Sequence, residues 1–206
     1  MILAGCLIDS ELEKEFREKG VKDSKKLTDM RREILAEIIR AKALSYQVLV
    51  ISPQEIDGRT NAGINLNRIE AMKAGEIINK TNQHYDKIKV VVDCPSPNIE
   101  KWTRILQAYV EKKDNLEFVV EHKADVNHIA CSAASILAKS QREKEVRLIK
   151  KKIGKDFGSG YTSDPITQKF LKDYAKKHDG DGIFRKTWST WKNNCGKKQQ
   201  KKLGEY

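Results

Sequence analysis

Four short apolar segments, separated by longer segments of helical periodicity, constrain the fold of this chain more than any other feature. The apolar segments are residues 2–8, 44–51, 89–93 and 116–120. The first is a continuous apolar run, which is typical of a buried strand, and the others are rich in Val and Ile. Because strands that alternate with helices form α/β domains, the pattern predicts an α/β fold.

Helices are predicted between and after these strands. Thr28 is a suitable N-cap for a helix whose apolar positions follow a period of 3.6 residues. Small residues in a long predicted helix over 126–152 permit close packing against neighbours, and Asp164-Pro165 opens another helix. The apolar helical positions are Ile34, Leu35, Ile38 and Ile39; Ile69, Met72, Ile77 and Ile78; Trp102, Ile105, Leu106 and Tyr109; and Phe170, Leu171 and Tyr174.

Composition excludes two classes of protein. Of 206 residues, 39% are hydrophobic, which is too many for a wholly disordered chain. No apolar run reaches the length of a membrane span, and residues 1–8 lack the basic start of a signal peptide. We therefore expect a cytosolic protein without a membrane partner. The four cysteines are too scattered for a zinc knuckle or a disulfide scaffold, and we expect reduced thiols.

The chain is strongly basic, with 40 Lys and Arg residues against 29 Asp and Glu residues, a net charge of +11. Such an excess makes a polyanion such as nucleic acid the first candidate partner. A lysine-rich and glutamate-rich surface is also typical of proteins from hot environments, so this alternative stays open. Residues 139–155 and 185–206 are the most basic stretches, and the first of them also fits a solvated helix face.

Two carboxylates follow predicted strands. Asp93 ends the strand over 89–93, and Asp125 follows the next strand at the start of a helix. Ligands bind at the carboxyl ends of strands in open α/β sheets, so the two side chains are a candidate metal-binding pair. The alternative is that Asp93 caps a turn and Asp125 caps the helix, and position alone does not separate these interpretations.

Two polar turns are further candidates for substrate contacts. The turn over 23–28 contains Ser24 and Lys25 and precedes a helix, so it could offer hydroxyl, ammonium and amide groups to a phosphate. The turn over 158–161 places Tyr161 after two glycines, where the ring could stack on a sugar or base. Turns like the first are commonplace, and for the second the residues alone favour an ordinary surface turn with a packed Tyr161.

Together these segments resemble ribonuclease HII, most closely its archaeal members, over roughly residues 2–191. The resemblance is carried by motifs in the family's order and spacing: Asp23-Ser24-Lys25-Lys26-Leu27, the strand ending in Asp93, His122-Lys123-Ala124-Asp125, residues 132–139, Gly158-Ser159-Gly160-Tyr161-Thr162-Ser163-Asp164-Pro165 and Arg185-Lys186-Thr187-Trp188. It implies a ribonuclease H-like fold, a mixed sheet with flanking helices and a C-terminal helical extension. It also implies cleavage of RNA in RNA/DNA hybrids or at a ribonucleotide embedded in duplex DNA.

The resemblance also implies roles for individual residues. Asp93 and Asp125 correspond to two of the family's four acidic ligands for two divalent metals, Mg²⁺ or Mn²⁺. Tyr161 resembles the tyrosine that senses the RNA–DNA junction near the 2′-hydroxyl. Four further positions resemble those that line the phosphate path or the floor of the site: Ser24, Lys25, Lys123 and Ser135.

One departure from the family affects both the fold and the activity. The family opens with a central strand carrying an Asp-Glu pair and Gly-Arg-Gly, whereas this chain begins at what resembles the second strand. We therefore expect the central first strand to be missing from the chain, which would be part of a longer enzyme. Half of the metal ligands are then absent, so the resemblance leaves open whether this chain is active or inactive.

The expected organisation is a catalytic domain over 1–155, a helical extension of it over 156–192 and a basic tail over 193–206. The tail resembles a sliding-clamp binding peptide, with Gln200, Leu203 and Tyr206 at the spacing of its glutamine, aliphatic and aromatic positions. The family suggests a monomer.

Two functional hypotheses follow. The first is a metal-dependent endoribonuclease of the ribonuclease HII type, and the second is a non-catalytic nucleic-acid-binding module. Strand cleavage that depends on metal distinguishes them.

Overall fold

The computed structural model describes residues 1–22, 27–82 and 85–195. These residues form four strands, β1 Ile2–Leu7, β2 Ser45–Val50, β3 Ile88–Asp93 and β4 Leu116–Glu121. They also form nine helices: α1 Ser10–Glu18, α2 Asp29–Lys42, α3 Pro53–Asn61, α4 Leu66–Thr81, α5 Ile99–Gln107, α6 Ala124–Asn127, α7 Ile129–Ile153, α8 Pro165–Tyr174 and α9 Ser189–Cys195. None of the described helices is both long and apolar enough to cross a membrane.

The four predicted strands are confirmed, and Thr28 is the N-cap of α2, with its hydroxyl accepting from the Arg31 amide. Three helices were not predicted: α1, α3 and α9. The first two begin at standard caps, since Asp9 accepts from the Leu12 amide and Ser52 accepts from the Glu55 amide. Their apolar faces are short, which explains why periodicity alone did not indicate them.

The long helix predicted over 126–152 is wrong at its beginning. It is divided into α6 and α7 at His128, whose backbone is extended at φ −127° and ψ 125°. Because an extended residue cannot continue a helix, the four residues of α6 form a separate turn directly after β4. The division leaves Asp125 in the turn rather than on the long helix.

The chain forms two compact units. The first comprises Met1–Ile51 and Ile64–Glu145, and the second comprises Ser52–Gly63 and the chain from Val146 onward. The boundary therefore falls inside α7. The division of the sequence at residue 155 into a catalytic domain and an extension stays a prediction.

The first unit contains both pairs of strands. β1 and β2 are antiparallel, with Ile2 opposite Val50 and Leu7 opposite Ser45. β3 and β4 are parallel, and Asp93 is opposite Glu121 at their carboxyl ends. Between described residues no ladder joins one pair to the other.

Two apolar clusters hold the first unit together. One joins α1, α2 and the first half of α7, where Phe16, Leu35, Ile39 and Ile136 are fully buried. The other joins α4 and α5 beneath β3 and β4, with Trp102 and Leu106 at its centre. A buried side chain of this size contributes about 1.5 to 3 kcal/mol, so these helices fix the positions of the strands.

A cavity of about 370 Å³ in the first unit is lined by every residue of β1 from Ile2 to Leu7 and of β3 from Ile88 to Asp93. Successive side chains of a strand point to opposite faces, so lining by consecutive residues means that the backbone edge of each strand faces the cavity. We call this cavity the strand slot. The slot explains why β1 is half-buried rather than buried as its apolar run predicts.

The second unit has its own aromatic core. Phe170 of α8 lies 5.6 Å from the rings of both Phe157 and Tyr174 and 5.8 Å from that of His178, measured between centroids. Phe184 extends this group to Trp191 of α9, at 4.6 Å. These contacts are independent of the strands and hold the turns around α8 and α9.

Substitutions at two glycines, one in α4 and one in α3, test the packing of these helices. A methyl group added at Gly75, in the middle of α4, would lie 2.7 Å from the Tyr109 Cβ and 3.0 Å from its carbonyl oxygen. At Gly58, exposed in α3, the same group meets nothing within 4 Å. We expect Gly75→Ala to lower the free energy of unfolding by about 1 to 3 kcal/mol through overpacking, and Gly58→Ala to raise it by about 0.5 to 1 kcal/mol through helix propensity. Urea unfolding measures both, and a Gly75→Ala protein as stable as the Gly58→Ala protein would contradict the described packing of α4.

Candidate active site

Asp93 lies at the carboxyl end of β3 and contacts the turn that follows β4. Its Oδ1 atom accepts a hydrogen bond of 2.8 Å from the Lys123 backbone amide. Lys123 has a positive φ of 60°, the left-handed conformation, which costs on the order of 1 kcal/mol for a residue with a side chain. The parallel pairing and this bond hold the two strand ends together. The turn-capping interpretation of Asp93 therefore holds for its Oδ1 atom and does not account for Oδ2.

Asp125 is the second residue of α6 and is buried, with 4% of its surface exposed. The N-cap of α6 is Lys123, so Asp125 does not cap the helix as the alternative interpretation proposed. Both Asp93 and Asp125 line the strand slot. The structure therefore brings the two predicted carboxylates to the same end of one cavity.

Cys131 is a site residue that the sequence did not indicate. Burial first, and then the negative charges of Asp93 and Asp125, raise the pKa of its thiol to about 12. The thiol is therefore uncharged at neutral pH, and Cys131 lines the strand slot together with both carboxylates. Only the small-residue pattern of α7 could have drawn attention to this position.

Ser135 lies one helical turn after Cys131 and lines the same cavity, half-buried. Lys123 is exposed and contacts Asp93 through its amide. Four of the predicted residues thus gather at one end of the first unit: Asp93, Lys123, Asp125 and Ser135. Five predicted residues lie outside the described part of the chain: Ser24, Lys25, Gln200, Leu203 and Tyr206.

The carboxylate oxygens at the carboxyl ends of β3 and β4 fit a divalent metal ion in part. Carboxylate oxygens are the ligands that Mg²⁺ and Mn²⁺ prefer, and Asp93 and Asp125 supply them. However, the residues that the structure describes contain no group of three or more His, Cys, Asp or Glu side chains that could hold a metal. The pair could hold an ion with help from water or substrate oxygens, and it is short of a complete set for two ions.

Tyr161 lies in the second unit, on a turn that is held in place by hydrogen bonds. Gly158 and Gly160 have φ angles of +74° and +76°, a conformation that residues with a side chain rarely adopt. The Gly160 amide donates to the Thr167 hydroxyl at 3.0 Å, and that hydroxyl donates to the Phe157 carbonyl at 2.8 Å. The phenol ring stands 55% exposed at the top of this turn, available to stack on a ligand.

Asp164 is the main anchor of the Tyr161 turn. Its Oδ2 atom accepts from the Ser159 amide at 2.6 Å and from the Ser159 hydroxyl at 2.7 Å, while Oδ1 accepts from the Ile166 amide at 2.9 Å. These bonds, those from Ser159 first, lower the pKa of Asp164 to about 2. The sequence placed Asp164 only at a helix start, and its contact with Ser159 was not predicted.

A second turn of this unit is anchored in the same way. Asp57 of α3 accepts from the Lys186 amide at 2.6 Å and from the Thr187 hydroxyl at 2.6 Å. Partial burial raises the pKa of Asp57, but these bonds outweigh burial and leave the pKa below its usual value. The anchored turn presents the Arg185 guanidinium 4.6 Å above the Trp188 ring. Asp57 precedes its partners by about 130 residues, so no local signal could have indicated it.

Comparisons with known proteins agree with the geometry. A family model described as ribonuclease HII matches residues 1–191. The ribonuclease HII of Methanocaldococcus jannaschii is 38% identical, over 98% of this chain and 91% of that protein. Among solved structures, the PCNA:RNase HII complex from Archaeoglobus fulgidus matches with a TM-score of 0.77 and 38% identity, over 97% of this chain and 88% of that one. Ribonuclease H2 from Pyrococcus horikoshii matches with a TM-score of 0.78 and 33% identity, over 94% of this chain and 96% of that one.

The Asp164 anchor gives a prediction about pH. Because its pKa is lowered in the folded state, Asp164 stabilises the fold above about pH 4, where the unfolded carboxyl is also ionised, and this contribution is lost as pH falls towards about 2. We expect Asp164→Asn to be less stable than the native chain in urea at pH 7 and the difference to shrink below pH 4. Amide hydrogen exchange should rise at Ser159 and Gly160 in the variant.

Asp173→Asn is the matched control, since Asp173 is an exposed carboxylate on the same helix. Unchanged exchange at Ser159 in Asp164→Asn would show that the carboxylate does not hold the turn.

Proposed function

This chain belongs to the ribonuclease HII family, and from that premise we propose that it is a metal-dependent endoribonuclease acting on RNA in RNA/DNA hybrids and at ribonucleotides embedded in duplex DNA. It has the ribonuclease H-like fold and is a ribonuclease H-type hydrolase. The observation that carries the proposal is the presence of Asp93 and Asp125 at the same end of the strand slot. The net charge of +11 supports a nucleic-acid substrate.

The residues of the site would divide the work as follows. Asp93 and Asp125 would hold the metal, Mg²⁺ or Mn²⁺, which when bound activates a water and stabilises the leaving oxygen. The hydrogen bond from the Lys123 amide holds Oδ1 of Asp93, and this also fixes the orientation of the second carboxylate oxygen, Oδ2. The uncharged thiol of Cys131 keeps a third negative charge out of the site. Tyr161, held by Asp164, would stack on the sugar at the RNA–DNA junction.

We propose further that cleavage needs a fifth strand in the strand slot. Each edge of the slot presents backbone groups of a strand that pairs only on its other side within the described residues. A buried backbone group without a partner costs about 1 to 3 kcal/mol, so a strand that pairs with both edges would stabilise the site. Acidic side chains at the end of such a strand would lie beside Asp93 and complete the ligand set.

A cleavage assay tests the proposed function. Two proteins are incubated with Mg²⁺ and a DNA duplex containing one ribonucleotide: this chain, and a form with an N-terminal segment that supplies the fifth strand and two acidic residues. We expect cleavage by the extended form and at least about 100-fold less by the shorter one, because a metal site with half of its ligands stabilises less charge in the transition state. Cleavage by the shorter form at full rate would refute the requirement for the fifth strand.

Variants in the extended form test the carboxylates. Asp93→Asn and Asp125→Asn should each lower the cleavage rate by at least about 100-fold while duplex binding stays within about threefold, since the metal ligands act mainly on the reacting phosphate. Glu117→Gln is the control, because Glu117 is exposed and lies far from the carboxyl end of β4. Normal turnover in either Asp variant would overturn the assignment.

A second candidate function is a non-catalytic nucleic-acid-binding module. The observation that favours it is the lack of a metal-binding group of three or more side chains in the described residues. Such a module would shift the same duplex in a gel and leave every phosphodiester intact in both forms. A monomeric state and a cytosolic location stay predictions.

We also propose that the tail binds a sliding clamp through Gln200, Leu203 and Tyr206. The proposal rests on the motif spacing and on the similar protein from Archaeoglobus fulgidus, whose structure is a PCNA:RNase HII complex. These residues lie outside the described ranges. An aliphatic and an aromatic side chain at this spacing would fill an apolar pocket on the partner.

The clamp proposal predicts a specific loss of affinity. Leu203→Ala with Tyr206→Ala should weaken binding to an archaeal clamp at least about tenfold, because two apolar anchors are removed together. Calorimetry measures the affinity, and Lys201→Ala with Lys202→Ala is the control for tail charge. Unchanged affinity in the Leu203/Tyr206 double variant would refute the clamp proposal.

A further inference from the structure

The second unit contains a polar cleft that the reaction described above does not use. It has a volume of about 850 Å³ and lies between α8 and α9. All of its lining residues except Pro165 have polar or charged side chains, and eight of them can donate hydrogen bonds. We call it the α8/α9 cleft. A cleft of this chemistry suits a hydrated, anionic ligand rather than an apolar one.

The charge of the cleft favours an anion. Lys169 donates to Asp173 at 2.8 Å, and this hydrogen bond together with the charge of Asp173 raises the pKa of Lys169. Lys172 also lines the cleft, and no described residue forms an ion pair with it. Because the only carboxylate of the lining is already paired, Lys172 provides the net positive charge. Asn193 and Thr190 of α9 add neutral donors to the opposite wall.

The cleft is continuous with the Tyr161 turn. Thr162, the next residue of the chain, is part of the lining. The side-chain amide of Gln168, also in the lining, donates to the Thr162 carbonyl at 2.7 Å and so ties the turn to α8. A nucleic-acid strand whose sugar stacks on Tyr161 would therefore reach the mouth of the cleft with its neighbouring nucleotides.

We propose that the α8/α9 cleft binds a backbone phosphate of the nucleic-acid duplex next to the nucleotide at Tyr161, with Lys172 as the charged contact and Asn193 as a neutral one. The proposal rests on the nucleic-acid substrate of the proposed function. A phosphate contact carries no base sequence and does not distinguish RNA from DNA, so the cleft positions the duplex and leaves the choice of ribonucleotide to Tyr161.

Salt-dependent binding tests this site with the chain as it exists. The affinities of two duplexes, one all-DNA and one with a single ribonucleotide, are measured by fluorescence anisotropy between about 50 and 200 mM salt. Lys172→Gln should weaken binding to both duplexes about 3- to 10-fold at 100 mM salt and reduce the slope of log K against log salt by about 0.9, because one phosphate contact is lost. Asn193→Asp, which places a carboxylate in the cleft, should weaken both duplexes in the same direction.

Lys177→Gln is the matched control, since Lys177 is exposed in the same unit, carries the same charge and does not line the cleft. It should leave the slope closer to that of the native chain than Lys172→Gln does. All three positions are exposed, so the variants should fold, and their thermal unfolding is checked first. Titration with inorganic phosphate, followed by the Asn193 amide resonance, tests free anion as the ligand and should not saturate at millimolar concentration.

The outcomes separate the cleft from the proposed function. If Lys172→Gln and Lys177→Gln gave identical slopes of log K against log salt and both bound duplex like the native chain, the cleft proposal alone would be overturned. Saturation by inorganic phosphate together with unchanged duplex affinity in Lys172→Gln would also overturn it. Loss of slope in Lys172→Gln while the extended form fails to cleave would support the cleft and refute the nuclease. A native chain that binds neither duplex would overturn the cleft proposal, and cleavage by the extended form would still decide the proposed nuclease activity.

Discussion

The parallel pairing of β3 with β4 is the constraint on which the candidate active site depends. Parallel strands end at the same edge of a sheet, so the pairing of Asp93 with Glu121 brings the residues after both strands to one place. The hydrogen bond from the Lys123 amide to Asp93 then closes that edge. Asp125 follows two residues later and is buried at the end of the strand slot. Without this pairing, no local feature would join the two carboxylates.

The second unit uses carboxylates in a different way. Asp164 and Asp57 each accept several hydrogen bonds from one turn, and each turn presents an exposed aromatic ring, Tyr161 in one case and Trp188 in the other. A turn rich in glycine or lysine has little apolar surface to bury, so its shape depends on such bonds. Asp164 and Asp57 therefore fix the positions of two exposed aromatic side chains.

Much of the fold and of the candidate site could be predicted from the sequence, because the signals are local. The strand over 88–93 contains three consecutive Val residues and the strand over 116–121 contains Phe118-Val119-Val120, and a carboxylate at the end of such a strand is a candidate for a site at the sheet edge. The rest depends on contacts between distant residues. The bond of Asp57 to Thr187, the position of Cys131 beside two carboxylates and the break at His128 are set by tertiary packing, which periodicity does not record.

The central claim is that Asp93 and Asp125 together bind a divalent metal ion, and direct titration with Mn²⁺ tests it without reference to turnover. Electron paramagnetic resonance of free Mn²⁺ gives the dissociation constant for the native chain, for Asp93→Asn and for Asp125→Asn. The account predicts that the native chain binds one ion and that each substitution weakens binding at least about tenfold, since each removes one anionic oxygen ligand. Equal Mn²⁺ affinity in all three proteins would contradict it.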